Sequence, residues 1–316
     1  MNLPKIGISL GDPGGIGPEV TIKALSSPLP KAEYIVFGPQ KIVHQEKEEL
    51  GLNVTIRCMK EALPLVPDKK GSPSAQNGKI SFACFQKCVE AAREGLLHAV
   101  VTAPISKESW AMAGIPWSGH TDFLHHLYPE AIMAFWSDAL KVALLSHHIS
   151  LKEAVAKVKK DILLDFLLTL FEQISRLDNR KFTFLAAGLN PHAGEKGLLG
   201  KEEVNEILPA IRMAQKKGMP IEGPFPPDVI FRKALNQPKI FVIALYHDQG
   251  LIPFKLMAFD SGVNVTLGLP FYRTSPDHGT AFDIVGKGKA NPESMISALK
   301  LAHRWITSST GKTKLS

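Results

Sequence analysis

The run Ile240-Phe241-Val242-Ile243-Ala244-Leu245 ends in Tyr246-His247-Asp248-Gln249-Gly250. An uninterrupted apolar run closed by a polar, glycine-containing cluster reads as a strand buried on both faces, as in the parallel sheets of α/β proteins. Two other stretches repeat the pattern. Val142-Ala143-Leu144-Leu145 runs into Ser146-His147-His148, and Phe182-Thr183-Phe184-Leu185-Ala186-Ala187 runs into Gly188-Leu189-Asn190-Pro191-His192. In open α/β sheets ligands bind beyond the carboxyl ends of strands, so each run delivers imidazole to the place where chemistry is usually built. Imidazole is also the commonest protein ligand for zinc-type ions, and three of them with an open fourth position make a catalytic site. The pattern points to a metal-dependent enzyme.

Outward from these runs, short apolar segments alternate with longer ones of helical period, which favours βαβ units and a largely parallel sheet. Further strands are expected at Lys5 to Leu10, Glu33 to Phe37, Val54 to Cys58 and His98 to Thr102. Helices are expected at Gly17 to Ser26, Lys79 to Gly95, Leu151 to Arg176, Glu202 to Lys217 and Pro292 to Thr307. In the last of these Met295, Leu299, Ala302 and Ile306 recur at helical spacing and should face the core. The stretch from Leu151 is long for one globular helix and predicts a break near Asp161. Pro64 to Asn77 reads as a surface loop, and the four prolines of Pro220 to Asp228 as an extended connection before a helix at Val229.

The chain has 316 residues, 45% of them hydrophobic and 21% charged, which suits two domains or one large α/β domain. The net charge of +7 comes from scattered Lys and Arg, with short clusters at Lys157 to Lys160 and Lys312 to Lys314. No aromatic-basic interleaving accompanies them, so no nucleic-acid partner is expected, while an anionic small molecule would be attracted. Cys84 and Cys88, four apart in a helical stretch, read as buried small hydrophobes, and with Cys58 they make no even disulfide framework. No run approaches 18 apolar residues and no leader pattern opens the chain; no membrane partner is expected, and the expected location is the reduced cytoplasm.

Two loops carry more specific information. Gly11 to Val20 (GDPGGIGPEV) leads a strand through a glycine-rich turn into a helix with Pro18 in its first turn. It has neither Rossmann nor P-loop spacing. Near the other end, Asp277 to Pro292 (DHGTAFDIVGKGKANP) combines small residues, which permit close backbone approach, with aspartates suited to ribose hydroxyls. Together the two resemble the corresponding signatures of the isocitrate and isopropylmalate dehydrogenases. The segments VVTAPISK (100–107), GIPWSGHTDFL (114–124), GLNPHAGE (188–195), YHDQGLIPFK (246–255) and GVNVTLGLPFYRTSPDHGTAFDI (262–284) sharpen the likeness. Over essentially its whole length the chain resembles the family of 4-hydroxythreonine-4-phosphate dehydrogenases. Ile105-Ser106 departs from the Val-His common there.

The resemblance implies an α/β protein of two α/β/α domains, of the isocitrate/isopropylmalate dehydrogenase-like type, with its active site in an interdomain cleft at a dimer interface. The implied first domain is residues 1–135 with 262–316, and the second is 136–261. The implied activity is metal-dependent, NAD- or NADP-linked oxidation of 4-phosphohydroxy-L-threonine. The resulting 3-keto acid decarboxylates to 3-amino-2-oxopropyl phosphate, in pyridoxine 5'-phosphate (vitamin B6) biosynthesis. One divalent metal per subunit, zinc with magnesium and cobalt as alternatives, falls to His148, His192 and His247, and a homodimer would share the site. Substrate contacts fall to His120, Thr121, Lys255, Asn264 and Arg273, and cofactor contacts to Asp277, Gly279, Thr280 and Asp283. Lys255 is the candidate base if burial and neighbouring cations depress its pKa. Asp248 is the alternative base, or instead orients His247. Two further readings stand beside this one: a dehydrogenase for D-erythronate or D-threonate 4-phosphate, and a metal-dependent phosphohydrolase.

Overall fold

A computed structural model describes residues 3–59, 67–178 and 180–309. The start of the Pro64 loop and the Lys312 cluster lie outside the described residues. The strands are β1 (Lys5–Ser9), β2 (Glu33–Phe37), β3 (Arg57–Cys58), β4 (Ala99–Thr102), β5 (Ile132–Trp136), β6 (Lys141–Leu144), β7 (Thr183–Ala187), β8 (Ile221–Phe225), β9 (Ile240–Ala244), β10 (Val263–Leu267) and β11 (Tyr272–Pro276). The helices are α1 (Gly17–Leu25), α2 (Gln40–Glu49), α3 (Ala75–Arg93), α4 (Lys107–Met112), α5 (His120–Leu127), α6 (Leu151–Lys157), α7 (Lys160–Leu177), α8 (Leu208–Lys216), α9 (Pro227–Ala234), α10 (His247–Ala258) and α11 (Glu293–Ser309). The chain divides into two compact units, Met1–Ala131 with Leu269–Ser316 and Ile132–Gly268. The boundaries that the resemblance implies are 135/136 and 261/262.

The first unit is built on parallel strands in the order β3-β2-β1-β4-β11. β1 is its middle strand, and Ile6 and Ile8 have no exposed surface. Burying such a side chain is worth about 1.5–3 kcal/mol, and the strand's one charged residue, Lys5, sits at its partly buried start. Helix α11 packs on β11 and β4 with Met295, Leu299, Ala302 and Ile306 buried, the face its periodicity predicts. Cys84 and Cys88 are free and fully buried in α3.

The second unit is mixed where a largely parallel sheet was expected. β6, β9, β7 and β8 run parallel, but β10 and β6 both pair antiparallel with β5. The reason is local: four residues separate β5 from β6, and a tight turn can reverse a strand but cannot make a parallel crossover. Ser137 closes that turn, its amide donating to the Leu140 carbonyl and its hydroxyl accepting from the Leu140 amide. The expected break in the long helix falls at Val158-Lys159, between α6 and α7. Two other expectations are corrected. Pro220 to Asp228 contains a strand, β8, whose Pro224 is accommodated because β8 lies at the end of the strand order. The helix at 202–217 opens as a π turn, Glu203–Ile207, before α8.

Candidate active site

In the second unit β6, β9 and β7 are adjacent and parallel, so their carboxyl ends lie side by side. Side chains stitch those ends together. The Ser146 hydroxyl donates to the Leu245 carbonyl at 2.8 Å. Buried Gln249 accepts from the Leu245 amide at 2.7 Å and donates to the Gly188 carbonyl at 2.8 Å, tying β9 to β7. Gln249 was missed in the sequence reading; a glutamine two residues after a strand-terminal histidine was its only signal.

His148 follows β6 with φ 51°, and its ring lies 5.6 Å from that of His247, centroid to centroid. His147 and His148 both lie beyond the strand, with rings 5.1 Å apart and nearly perpendicular, so strand alternation does not choose between them. His247 is the first residue of α10, and its Nδ1 lies 2.7 Å from Asp248 Oδ1. His192 makes the same arrangement with Glu195, Nδ1 to Oε1 at 2.8 Å, and that hydrogen bond raises its pKa. A carboxylate only accepts, so in both pairs Nδ1 carries the proton and Nε2 is left to coordinate. The donor chemistry fits a zinc-type ion. Among the described residues no three such groups gather within one chain: His148 and His247 converge, and His192 stands apart.

The turn that carries His192 is unusual. His192, Ala193, Glu195 and Lys196 have φ between 41° and 59°, with Gly194 at 73° between them. A left-handed residue other than glycine costs roughly 1–2 kcal/mol, so such a run persists only if its surroundings impose it. Glu203, 3% exposed at the start of the π turn, supplies the constraint. Its Oε1 accepts from the amides of Leu189 and Asn190, both at 2.7 Å, and its Oε2 from the Asn190 side-chain amide at 2.9 Å. Hydrogen bonds to a charged group are worth about 1.5–3 kcal/mol each, enough to offset much of the strain. Glu203 had no signal in the sequence beyond its distance of 11 residues from His192.

Lys255 lies on the exposed side of α10, and Asn264 lies in β10 opposite Phe135. The burial proposed as a means of activating Lys255 is absent within one chain.

The first unit brings together another set. Arg273, in β11, is buried, and its guanidinium donates to Thr102 Oγ1 at 2.7 Å. Burial brings its pKa down to about 9, which still leaves it charged at neutral pH. His120 opens α5 and is buried with Thr121. Burial and, secondly, the Arg273 charge hold its imidazole well below the ordinary range, so it is neutral. The rings of Phe85 and Trp110 enclose it at 4.4 and 5.6 Å. Thr102, which the sequence reading passed over, ends β4 and also accepts the Ser275 hydroxyl at its carbonyl.

The two signature loops meet in this unit. The Ile16 amide donates to the Thr280 carbonyl at 2.9 Å, and a Cβ on Gly15 would stand 2.7 Å from Thr280 Cβ, so only glycine permits the approach. Glu19 accepts from the Ala290 amide and from Lys23, whose ammonium also reaches the carbonyls of Gly288 and Ala290. Of the expected cofactor contacts, Asp277 is fixed through its amide to Ser294 Oγ, while Gly279 and Asp283 are exposed.

Residues 23–302 match the family described as pyridoxal phosphate biosynthetic protein PdxA. The chain belongs to the PdxA family. Its relatives include the 4-hydroxythreonine-4-phosphate dehydrogenase of Aquifex aeolicus, 41% identical over 313 residues, which span 94% of this chain and 97% of that protein. A Halalkalibacterium halodurans relative, provisionally named a D-threonate 4-phosphate dehydrogenase, is 38% identical over 96% of this chain and 97% of its own. Among solved structures, a 4-hydroxythreonine-4-phosphate dehydrogenase from Klebsiella pneumoniae is 36% identical with a TM-score of 0.82, covering 95% of this chain and 98% of that one. At the level of fold alone, this PdxA chain is like a β-decarboxylating dehydrogenase from Thermococcus kodakarensis, 14% identical with a TM-score of 0.50, over 98% of this chain and 84% of that one. Among the described residues no helix is long and apolar enough to cross a membrane.

Proposed function

We propose that this protein oxidises 4-phosphohydroxy-L-threonine with NAD or NADP, giving a 3-keto acid that loses carbon dioxide to leave 3-amino-2-oxopropyl phosphate. The observation that carries the reading is the approach of His148 and His247, with Asp248 on the His247 Nδ1, in a chain of this family. His148, His192 and His247 would hold a divalent metal, zinc by preference with magnesium or cobalt as alternatives. Such an ion supplies Lewis-acid polarisation of the substrate hydroxyl, and the nicotinamide supplies the hydride acceptor. Asp248 and Glu195 fix the tautomers of His247 and His192. Arg273, held by Thr102, binds substrate phosphate or carboxylate through its planar fork. Neutral His120 and Thr121 hydrogen-bond the same substrate, with Lys255 as a point charge and Asn264 as a neutral partner. Lys255 is the proposed base, with Asp248 the alternative. Asp277, Gly279, Thr280 and Asp283 are the proposed cofactor contacts.

A homodimer sharing the site belongs to this reading. Leu198, Ile252, Leu256 and Phe259 are 81%, 60%, 75% and 70% exposed on the unit that carries the three histidines. Apolar surface of that extent calls for a partner, and a second copy would also supply the imidazole missing from each pair.

A second reading, oxidation of D-threonate or D-erythronate 4-phosphate, is favoured by the Halalkalibacterium relative. Family membership sets the phosphohydrolase aside. Steady-state absorbance at the reduced-nicotinamide band decides among the substrates. The expected outcome is the highest kcat/KM on 4-phosphohydroxy-L-threonine, loss of turnover in chelator, and restoration by zinc. Asp248→Asn should lower metal affinity by about 10- to 100-fold. Preference for either threonate or erythronate phosphate would transfer the assignment to the second reading, and undiminished turnover in metal-free protein would remove the metal.

A further inference from the structure

We infer that Glu203 is a positioning residue of the metal site, whose buried carboxylate builds the turn that presents His192. The inference rests on the reading of His192 as a ligand. Glu203 brackets that histidine without touching it. On one side it takes the amides of Leu189 and Asn190 and the Asn190 side chain. On the other, a Cβ added to Gly194 would stand 2.5 Å from its Oε2, so the loop closes directly onto the carboxylate. The neighbouring Glu202 also accepts from the Asn190 side chain, at 2.8 Å, but its backbone partners are its own amide and that of Lys201, not those of the turn. The arrangement fixes the residues on both sides of His192 while Glu195 fixes its ring. The charge of Glu203 is specific to this job. An amide in its place could keep the acceptor for both backbone N–H groups, but its nitrogen would then face the Asn190 nitrogen, donor against donor.

The test titrates full-length, metal-free protein with cobalt(II), reading visible ligand-field absorption and dissociation constant, with circular dichroism as the check of folding. Glu203→Gln should weaken cobalt about 10- to 100-fold and alter the absorption spectrum. Gly194→Ala should do the same, because it presses on the carboxylate from the loop side. Gly197→Ala is the control: φ there is 97°, so an alanine is strained in the same loop, but only Val204 lies nearby, at 3.8 Å. It should keep wild-type affinity. If His192→Ala loses cobalt and Glu203→Gln does not, the positioning role is overturned and the metal reading stands. If His192→Ala binds cobalt like wild type, the metal reading fails and the positioning role with it. Equal losses in Gly194→Ala and Gly197→Ala would assign the effect to general loop strain and overturn the inference. Should Glu203→Gln fail to fold, the two glycine variants still decide.

Discussion

A neutral His120 next to a charged Arg273 gives folding stability a pH dependence of known sign. The folded imidazole titrates well below its ordinary range, chiefly because it is buried. Below about pH 6.5 the unfolded chain therefore binds a proton that the folded chain refuses, and stability falls as pH falls. The slope from this one group approaches about 1.4 kcal/mol per pH unit until the folded imidazole itself titrates. Urea unfolding between pH 7.5 and 5 should show this loss in the wild type and a shallower slope in His120→Asn; identical slopes would mean the imidazole is not held neutral. The same residue explains what the sequence could and could not convey. A Gly-His-Thr segment at a helix start marks His120 as a ligand contact through family likeness. Its enclosure by Phe85 and Trp110 arises from residues 35 and 10 positions away and has no local signature. Glu203 and Gln249 were invisible for the same reason: each acts on backbone groups that only the folded strand ends bring near.

At the scale of elements, the contact of α3 with α4 turns on Gly78. Glycine inside a helix ordinarily costs about 1 kcal/mol relative to alanine, so propensity alone predicts that Gly78→Ala stabilises. A Cβ there would stand 2.0 Å from the Ser109 carbonyl oxygen, a backbone atom that cannot swing aside. The expected result is instead destabilisation by about 1–3 kcal/mol, read as a lower denaturation midpoint. An unchanged or higher midpoint would show that α4 moves freely. Elements with one strong period were legible: β1, β2, β4, β6, β7 and β9 as apolar runs, α1 and α11 as amphipathic helices. The illegible ones share a physical cause. β11 carries Arg273, Thr274 and Ser275, polar residues that are buried with hydrogen bonds to Thr102 and Ala298, so its pattern is not that of a core strand. β5 is a five-residue apolar run too short to separate strand from helix by period. α10 contains Gly250 and Pro253, residues that normally punctuate a helix, and Gly250 allows a close approach, since a Cβ there would stand 2.6 Å from Leu144 Cδ2.

For the whole molecule, the proposed pairing of two copies makes assembly and metal binding inseparable. Leu256→Asp places a charge in the middle of the exposed apolar surface of α10 without altering any histidine. Sedimentation velocity should find the wild type as a dimer and the variant as a monomer, with weaker cobalt binding in the same sample. A dimeric variant, or a wild type that is monomeric at micromolar concentration, would remove the shared site. The division of the chain has a further consequence, for its biosynthesis. The second unit is contiguous, whereas the first is interrupted at Ala131 and resumes at Leu269. β11 pairs with β4 through Thr274 and Val101, so that edge of β4 waits for a strand made much later. On the ribosome the second unit can close while β4 still presents unpaired backbone groups to solvent. The interval between synthesis of residue 102 and residue 276 is therefore the period in which a nascent chain is most exposed to misassociation, and a chaperone that shields one strand edge would protect it.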